Sequence, residues 1–137
     1  MTGLHFIKDY NLNVPSWEIL LDNFNNSVIK KDLIKHKGLG FFVSHQAESI
    51  NQVKNVLNDL KLKVAHLYFN LTTNDDGFGR HKDVDDVYFW QCQGETKWIF
   101  DNNIFYILKK GDLIIVPKFT YHHVIPLSPR AGISMSL

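Results

Sequence analysis

The sequence predicts a mainly β fold, an antiparallel sandwich or barrel with helices packed on its outside. Three observations carry this expectation. From Lys63 onward, short strand-like runs follow one another with glycine, asparagine or proline between them. Apolar stripes at helical spacing are confined to the part before Lys61. No repeat, low-complexity tract or linker breaks the 137 residues, so the chain reads as one domain. Within it, residues 1–62 read as mainly helical and residues 63–137 as the barrel.

Trp17, Leu20, Leu21 and Phe24 recur at i, i+3, i+4 and i+7, which lines one side of a helix. Pro15 precedes this stripe and Ser16 is a candidate N-cap. Leu39-Gly40-Phe41-Phe42-Val43 reads as a short strand. Ile50, Val53, Leu57 and Leu60 repeat the helical stripe, with Ser44 as candidate cap, and both stripes are expected to face the core. Val64 to Asn70 reads as a strand, and Thr73-Asn74-Asp75-Asp76-Gly77 as a turn. Further strands are expected at Val87 to Cys92, Lys97 to Phe100, Ile104 to Leu108, Leu113 to Val116, His123 to Ile125 and Ile133 to Leu137. Phe89, Trp90 and Trp98 are expected to fill the barrel, and Cys92 to pack as a small hydrophobe. His5, His36 and His45 have no partner in the sequence and read as surface residues.

Charge excludes some functions. Fifteen Lys+Arg against fourteen Asp+Glu leave a net charge of +1, far from the basic stripe of a nucleic-acid binder. There is no apolar run long enough to span a bilayer, and the opening residues lack the pattern of a signal peptide. Lone Cys92 fits a reducing compartment, so a cytoplasmic, membrane-free protein is expected.

The chemistry concentrates in His81-Lys82-Asp83. Side chains at i and i+2 of an extended chain share a face, so an imidazole and a carboxylate point the same way. A second imidazole from the distant His122-His123 pair would complete two histidines and one carboxylate on one side of a metal. Such a set leaves positions open and suits non-haem Fe(II). Only one member of the His122-His123 doublet can point inward on a strand. Asp85 shares the parity of Asp83, although Asp85-Asp86 reads first as a solvated pair.

These blocks resemble the cupins. Gly111, Pro117 and His122 stand in register with the signature Gly-x5-Pro-x-Gly-x2-His, with Phe119 in place of the second glycine. Asp83 occupies the second ligand position of the companion signature and Gly94 its closing glycine, while Val87 stands where many cupins carry a glutamate. The resemblance is closer to the JmjC-type hydroxylases, especially their ribosomal-oxygenase branch. It runs over Ala65-His66-Leu67-Tyr68, Gly77 to Gln91, Gly94 to Trp98 and Gly111 to His123. It implies a double-stranded β-helix, the cupin or jelly-roll barrel, and three metal ligands, His81, Asp83 and His122. It also implies Fe(II) and 2-oxoglutarate as the cofactors of a side-chain hydroxylase.

The cosubstrate residues depart from that pattern. Many relatives hold the far carboxylate of 2-oxoglutarate with a lysine or arginine where this chain has Thr96. Lys97 is one residue away, which on a strand means the opposite face. Tyr68 is retained, and His66 replaces an asparagine. Arg130 stands where another branch of 2-oxoglutarate oxygenases places its cosubstrate arginine, but it also reads as a water-facing loop residue in Ser128-Pro129-Arg130. The expectation is an Fe(II)-dependent, 2-oxoglutarate-dependent oxygenase with Tyr68, Thr96 and Arg130 as cosubstrate contacts. The rivals are a metal-binding cupin of another activity (a cofactor-independent dioxygenase or an isomerase) and a non-catalytic binding or sensor cupin. The substrate stands open between a protein side chain and a small molecule, and a homo-oligomer is compatible with the sequence.

Overall fold

In the computed structural model, which describes residues 3–29, 33–35, 40–74 and 77–137, the strand runs form two facing antiparallel sheets. His36, Leu39, Asp75 and Asp76 lie outside the described residues. The elements in order are β1 (His5–Ile7), α1 (Trp17–Ile29), β2 (Leu33–Lys35), β3 (Phe41–Ser44), α2 (Asn51–Leu60), β4 (Val64–Asn70) and β5 (Val87–Gln93). After these come β6 (Thr96–Phe100), β7 (Phe105–Leu108), β8 (Leu113–Val116), β9 (His122–Pro126) and β10 (Arg130–Ser136). The larger sheet runs β1-β8-β5-β10-β4-β3-β2 and the smaller β7-β6-β9.

Strand alternation decides what each residue touches. On β4, β5 and β10, Ala65, Leu67, Phe69, Trp90, Cys92, Ala131, Ile133 and Met135 form one buried cluster with Leu20 of α1 and Val53, Val56 and Leu57 of α2. The alternate residues face the smaller sheet, where Phe89, Trp98, Phe100, Leu108, Ile114 and Val116 make a second core. The helices therefore cover the outer face of the larger sheet, and the space between the sheets is left for the site. Trp90 consequently belongs to the helix-covered face and not to the barrel interior, where Phe89 and Trp98 lie. Its indole nitrogen donates to the carbonyl of Asn11 at 3.0 Å.

Ser16 caps α1 as expected, its hydroxyl accepting the amide of Ile19 at 3.2 Å. Leu20 is buried in the stripe, whereas Leu21 is exposed at the border of the apolar face. Ser44 caps nothing. It is a buried residue of β3, and α2 starts behind a 3-10 turn at Ala47–Ser49, with Ile50 at its cap position. The N-terminal part is also less helical than expected, because β1 and β2 join the larger sheet in addition to the expected β3. β1 and β2 hold three residues each, too few for a period to show. β1 pairs with β8 through His5↔Ile115 and Ile7↔Leu113. The segment behind it is tied down by the Asp9 amide on buried Asp112 (2.9 Å) and the Asn11 amide on the Gly111 carbonyl (3.1 Å).

Leu57 sits in the helix-facing core at 6% exposure. Leu57→Ala is expected to lower stability by about 2–5 kcal/mol, as for other buried leucines. Urea unfolding at unchanged slope checks it, and a loss below about 1 kcal/mol would mean that the α2 stripe does not hold the sheet.

Candidate metal centre and its cavity

The centre begins with a single two-bond bridge. The amide of His81 donates to the carbonyl of His122 at 2.9 Å, and the amide of His122 returns the bond to His81 at 2.8 Å. Directly opposed residues of an antiparallel pair project to the same side. The two imidazoles accordingly lie together, with ring centroids 4.3 Å apart. After His81 the chain leaves regular strand, and the amide of Phe119 pins the carbonyl of Asp83 at 2.7 Å. This brings Asp83 Oδ2 to 3.3 Å from Nε2 of His122 and 3.8 Å from Nε2 of His81. The three ligating atoms all lie within 4.8 Å of one another, and the set uses His122, not His123.

Hydrogen bonds behind the rings decide which nitrogens are free. Nδ1 of His81 lies 2.8 Å from the carbonyl of Gly79, and Nδ1 of His122 lies 2.8 Å from the carbonyl of Thr120. A carbonyl only accepts, so both Nδ1 atoms carry the hydrogen and the Nε2 atoms of the neutral rings present lone pairs. Two lone pairs and a carboxylate oxygen then converge on one point, an arrangement that repels itself until a cation enters. In acid the cation is a proton. The hydrogen bond from His122, and then the charges of His122 and His81, outweigh burial and hold the Asp83 carboxyl below the usual range. At neutral pH a divalent metal fits the donor set, with imidazoles oriented from behind as metal-ligating histidines generally are. Asp85 and Asp86 are exposed, and Asp86 accepts the Lys118 amide at 2.8 Å.

The triad opens into a cavity of about 310 Å³ with Phe41, Phe89 and Trp98 among its walls and Tyr68, Arg130 and Ser134 as its other polar groups. Phe89 lies across β10 because residue 132 is glycine, where a Cβ would stand 2.2 Å from the ring. Arg130 is not a loop residue facing water. It opens β10 at 2% exposure, with its guanidinium carbon 5.9 Å from the Phe41 ring centre and 5.8 Å from that of Phe89. Its Nε donates to Oδ1 of Asn70 at 2.6 Å, while its buried Nη1 has no partner among the described residues. No carboxylate among the described residues pairs with it. Burial lowers its pKa to about 10, against a smaller upward pull from Tyr68. The Tyr68 hydroxyl is pushed up first by burial and then by Asp83, opposed by Arg130 and a hydrogen bond with Ser134.

Of the residues expected at the site, His81, Asp83, His122, Tyr68 and Arg130 meet around this cavity. Thr96 does not line it. Its hydroxyl is buried and already engaged by Gln91 and Trp98. Lys97 points to the outer face of the smaller sheet, its amine 4.4 Å from the Phe105 ring centre. His45 is half-buried and not a surface residue, because its Nδ1 contacts Nδ1 of His66 at 2.9 Å. Burial, and then His45, lower the pKa of His66 against the pull of Glu48. Sequence reasoning missed Asn70 and the wall residue Phe41. Strand parity could have found Asn70, which shares a face with Tyr68 on β4.

No protein-family model matches the chain, and no curated protein matches it by sequence. Several solved structures share its fold. The ribosomal oxygenase YcfD from Escherichia coli superposes with a TM-score of 0.70 at 15% identity, over 96% of this chain and 46% of that one. A YcfD structure in complex with cobalt and 2-oxoglutarate gives 0.69 at 16% identity, over 97% and 47%. A cupin superfamily protein from Desulfitobacterium hafniense gives 0.55 at 15% identity, over 76% of this chain and 83% of its own. The fold is a cupin barrel. A glycine-to-alanine mutant of salicylate 1,2-dioxygenase from Pseudoaminobacter salicylatoxidans, in complex with gentisate, shares it at a TM-score of 0.59 and 13% identity, over 89% and 32%. The chain spans about half the length of the YcfD structures. Among its described residues, no helix is long and apolar enough to cross a membrane.

Proposed function

We propose that this cupin barrel is an Fe(II)-dependent oxygenase that uses 2-oxoglutarate, with His81, Asp83 and His122 holding the metal and Arg130 holding the far carboxylate. The observation that carries the reading is the buried guanidinium of Arg130, with Nη1 unpartnered, in the same cavity as the triad. An unpaired buried cation is costly, and a planar fork matches a carboxylate in two parallel hydrogen bonds. A ferrous ion bound by three protein donors would supply redox chemistry with O2 and open positions for the oxo-acid end of the cosubstrate.

The chain's own residues do the rest. Asn70 holds the Arg130 fork by its Nε and leaves Nη1 for the ligand. Tyr68 and Ser134 offer hydroxyls along the same wall. The aromatic rings exclude water and strengthen each polar contact inside. The YcfD complex with cobalt and 2-oxoglutarate supports this reading through the shared fold. Thr96 stands where the resemblance leads one to expect a cation on β6, so the anchor falls to Arg130.

A second reading draws on the aromatic walls. One cation among Phe41, Phe89 and Trp98 also suits an aromatic carboxylic acid bound directly, by a cofactor-independent dioxygenase; gentisate is the ligand in the salicylate 1,2-dioxygenase complex that shares the fold. Anaerobic Fe(II) titration with and without 2-oxoglutarate separates the two. The expected result is a weak visible charge-transfer band that needs both components. Metal binding with no band, and a shift on adding gentisate or salicylate, would replace the first reading by the second.

A further inference from the structure

Between the two strands that frame the cavity floor runs a chain of buried polar side chains that the proposed reaction does not use. Gln91, Thr96 and Trp98 are each 2% exposed or less. Trp98 Nε1 can only donate, and it gives its hydrogen to Oγ1 of Thr96 at 3.1 Å. The threonine hydrogen therefore goes to Oε1 of Gln91 at 2.9 Å. The amide nitrogen of Gln91 donates to the carbonyls of Gln93 at 2.9 Å and Gly94 at 3.3 Å, which fixes the orientation of the amide. Each hydrogen has one possible direction, so the relay has a single polarity from the indole to the β5–β6 turn.

The other end of the relay meets the metal centre. The indole of Trp98 stacks on the imidazole of His122, with centroids 5.6 Å apart and planes 17° apart, and tilts against Phe89 at 5.0 Å. The Nδ1 of His122 is held by the carbonyl of Thr120 and its Nε2 lies 3.3 Å from Asp83, while the rings of His81 and Phe100 pack at 4.3 and 6.3 Å. The indole covers the ring face as a stacked plane, and the bond to Thr96 fixes the orientation of that plane.

We infer that Thr96 is a positioning residue for the metal centre, locking the Trp98 plane against which His122 rests. The inference rests on the metal-binding reading above. It also explains why a neutral residue serves here. A hydroxyl donates and accepts in one atom, which a lysine or arginine at this position could not do.

Co(II) titration of the full chain, with its visible spectrum as a report of ligand geometry, tests this in Thr96→Val, Thr96→Ser, Trp98→Phe and the double variant Thr96→Val/Trp98→Phe. Thr96→Val keeps the shape and removes the hydroxyl, so Co(II) binding is expected to weaken about tenfold, as when partners behind metal ligands are lost elsewhere. The spectrum should shift with it, and Thr96→Ser should restore both. The double variant should bind no more weakly than the weaker single one, because both changes break the same link. Parental affinity and spectrum in Thr96→Val, or additive effects in the double variant, would overturn the inference. Should Thr96→Val not fold, Trp98→Phe keeps a ring against His122 without the N–H, and parental affinity there overturns it equally. A parent protein that binds no Co(II) would instead remove the metal reading itself.

Discussion

Asp83→Ala is expected to abolish metal binding and, with it, the stabilisation that the metal confers. A ligand present at 100 times its Kd and bound only by the folded state adds about 2.7 kcal/mol, visible as a rise in Tm. The parent should show that rise with Co(II) or Mn(II) and the variant should not, because two imidazoles without the carboxylate leave the cation's charge unbalanced. Without metal, the variant should also be less stable than the parent. The carboxyl of Asp83 is depressed by the hydrogen bond from His122 and by both imidazolium charges. A depressed carboxylate contributes stability that is lost as pH falls through its folded pKa. Asp83→Ala should therefore lose stability to the parent, most at pH above the ordinary carboxylate range, and the gap should close as pH falls through the depressed pKa of Asp83. An equal metal-induced Tm rise in both proteins would dismiss the triad as the binding site.

Much of this site was legible because its residues are close in sequence or fall on a fixed spacing. His81 and Asp83 share a face by parity, and Gly111, Pro117 and His122 keep a register that a turn and a strand impose. β4 and β8 were read to the residue, since Val64–Asn70 and Leu113–Val116 are apolar, strand-prone runs set between turn signals. The failures have physical reasons. β1 and β2 are three-residue edges stabilised by their neighbours and not by their own pattern. Ser44 and His45 looked like a cap and a surface residue, but they run at the end of β3 towards Leu67 and His66 of β4, a long-range pairing that local reasoning does not show.

Thr96 and Arg130 are the most instructive pair. By position alone, Thr96 is the carboxylate contact and Arg130 an open choice between site and solvent. Neither parity nor spacing could reveal that Gln91 and Trp98 consume the Thr96 hydroxyl, because that is a three-body contact between two strands. Burial of Arg130 follows from Gly94. At φ +69° its amide plane turns the β5–β6 hairpin onto the Ser128–Arg130 segment, and a Cβ there would stand 2.0 Å from the carbonyl of Pro129. The sequence marks that glycine as a closing turn but does not say what it closes against.

Arg130→Met is expected to eliminate 2-oxoglutarate binding while leaving metal affinity and folding intact. Removing one member of a buried charge pair costs about 3–5 kcal/mol, which is roughly a 10²- to 10⁴-fold weaker complex. The metal should be unaffected, because none of the three ligands bonds to the guanidinium. Stability of the free protein should not fall either. Burial brings the Arg130 pKa down to about 10, so at every lower pH the fold carries the cost of a charge it disfavours. That cost is relieved only as pH rises from about 10 towards the ordinary arginine range. Methionine fills a similar volume without the charge and leaves only Oδ1 of Asn70 to find a new donor. Arg130→Lys should fall between the two, since an ammonium keeps the charge but loses the fork. The comparison is read by isothermal titration of 2-oxoglutarate into the Mn(II)-loaded proteins, with urea unfolding alongside. Undiminished binding by Arg130→Met would take the guanidinium out of cosubstrate recognition, and with it the observation on which the proposed function stands.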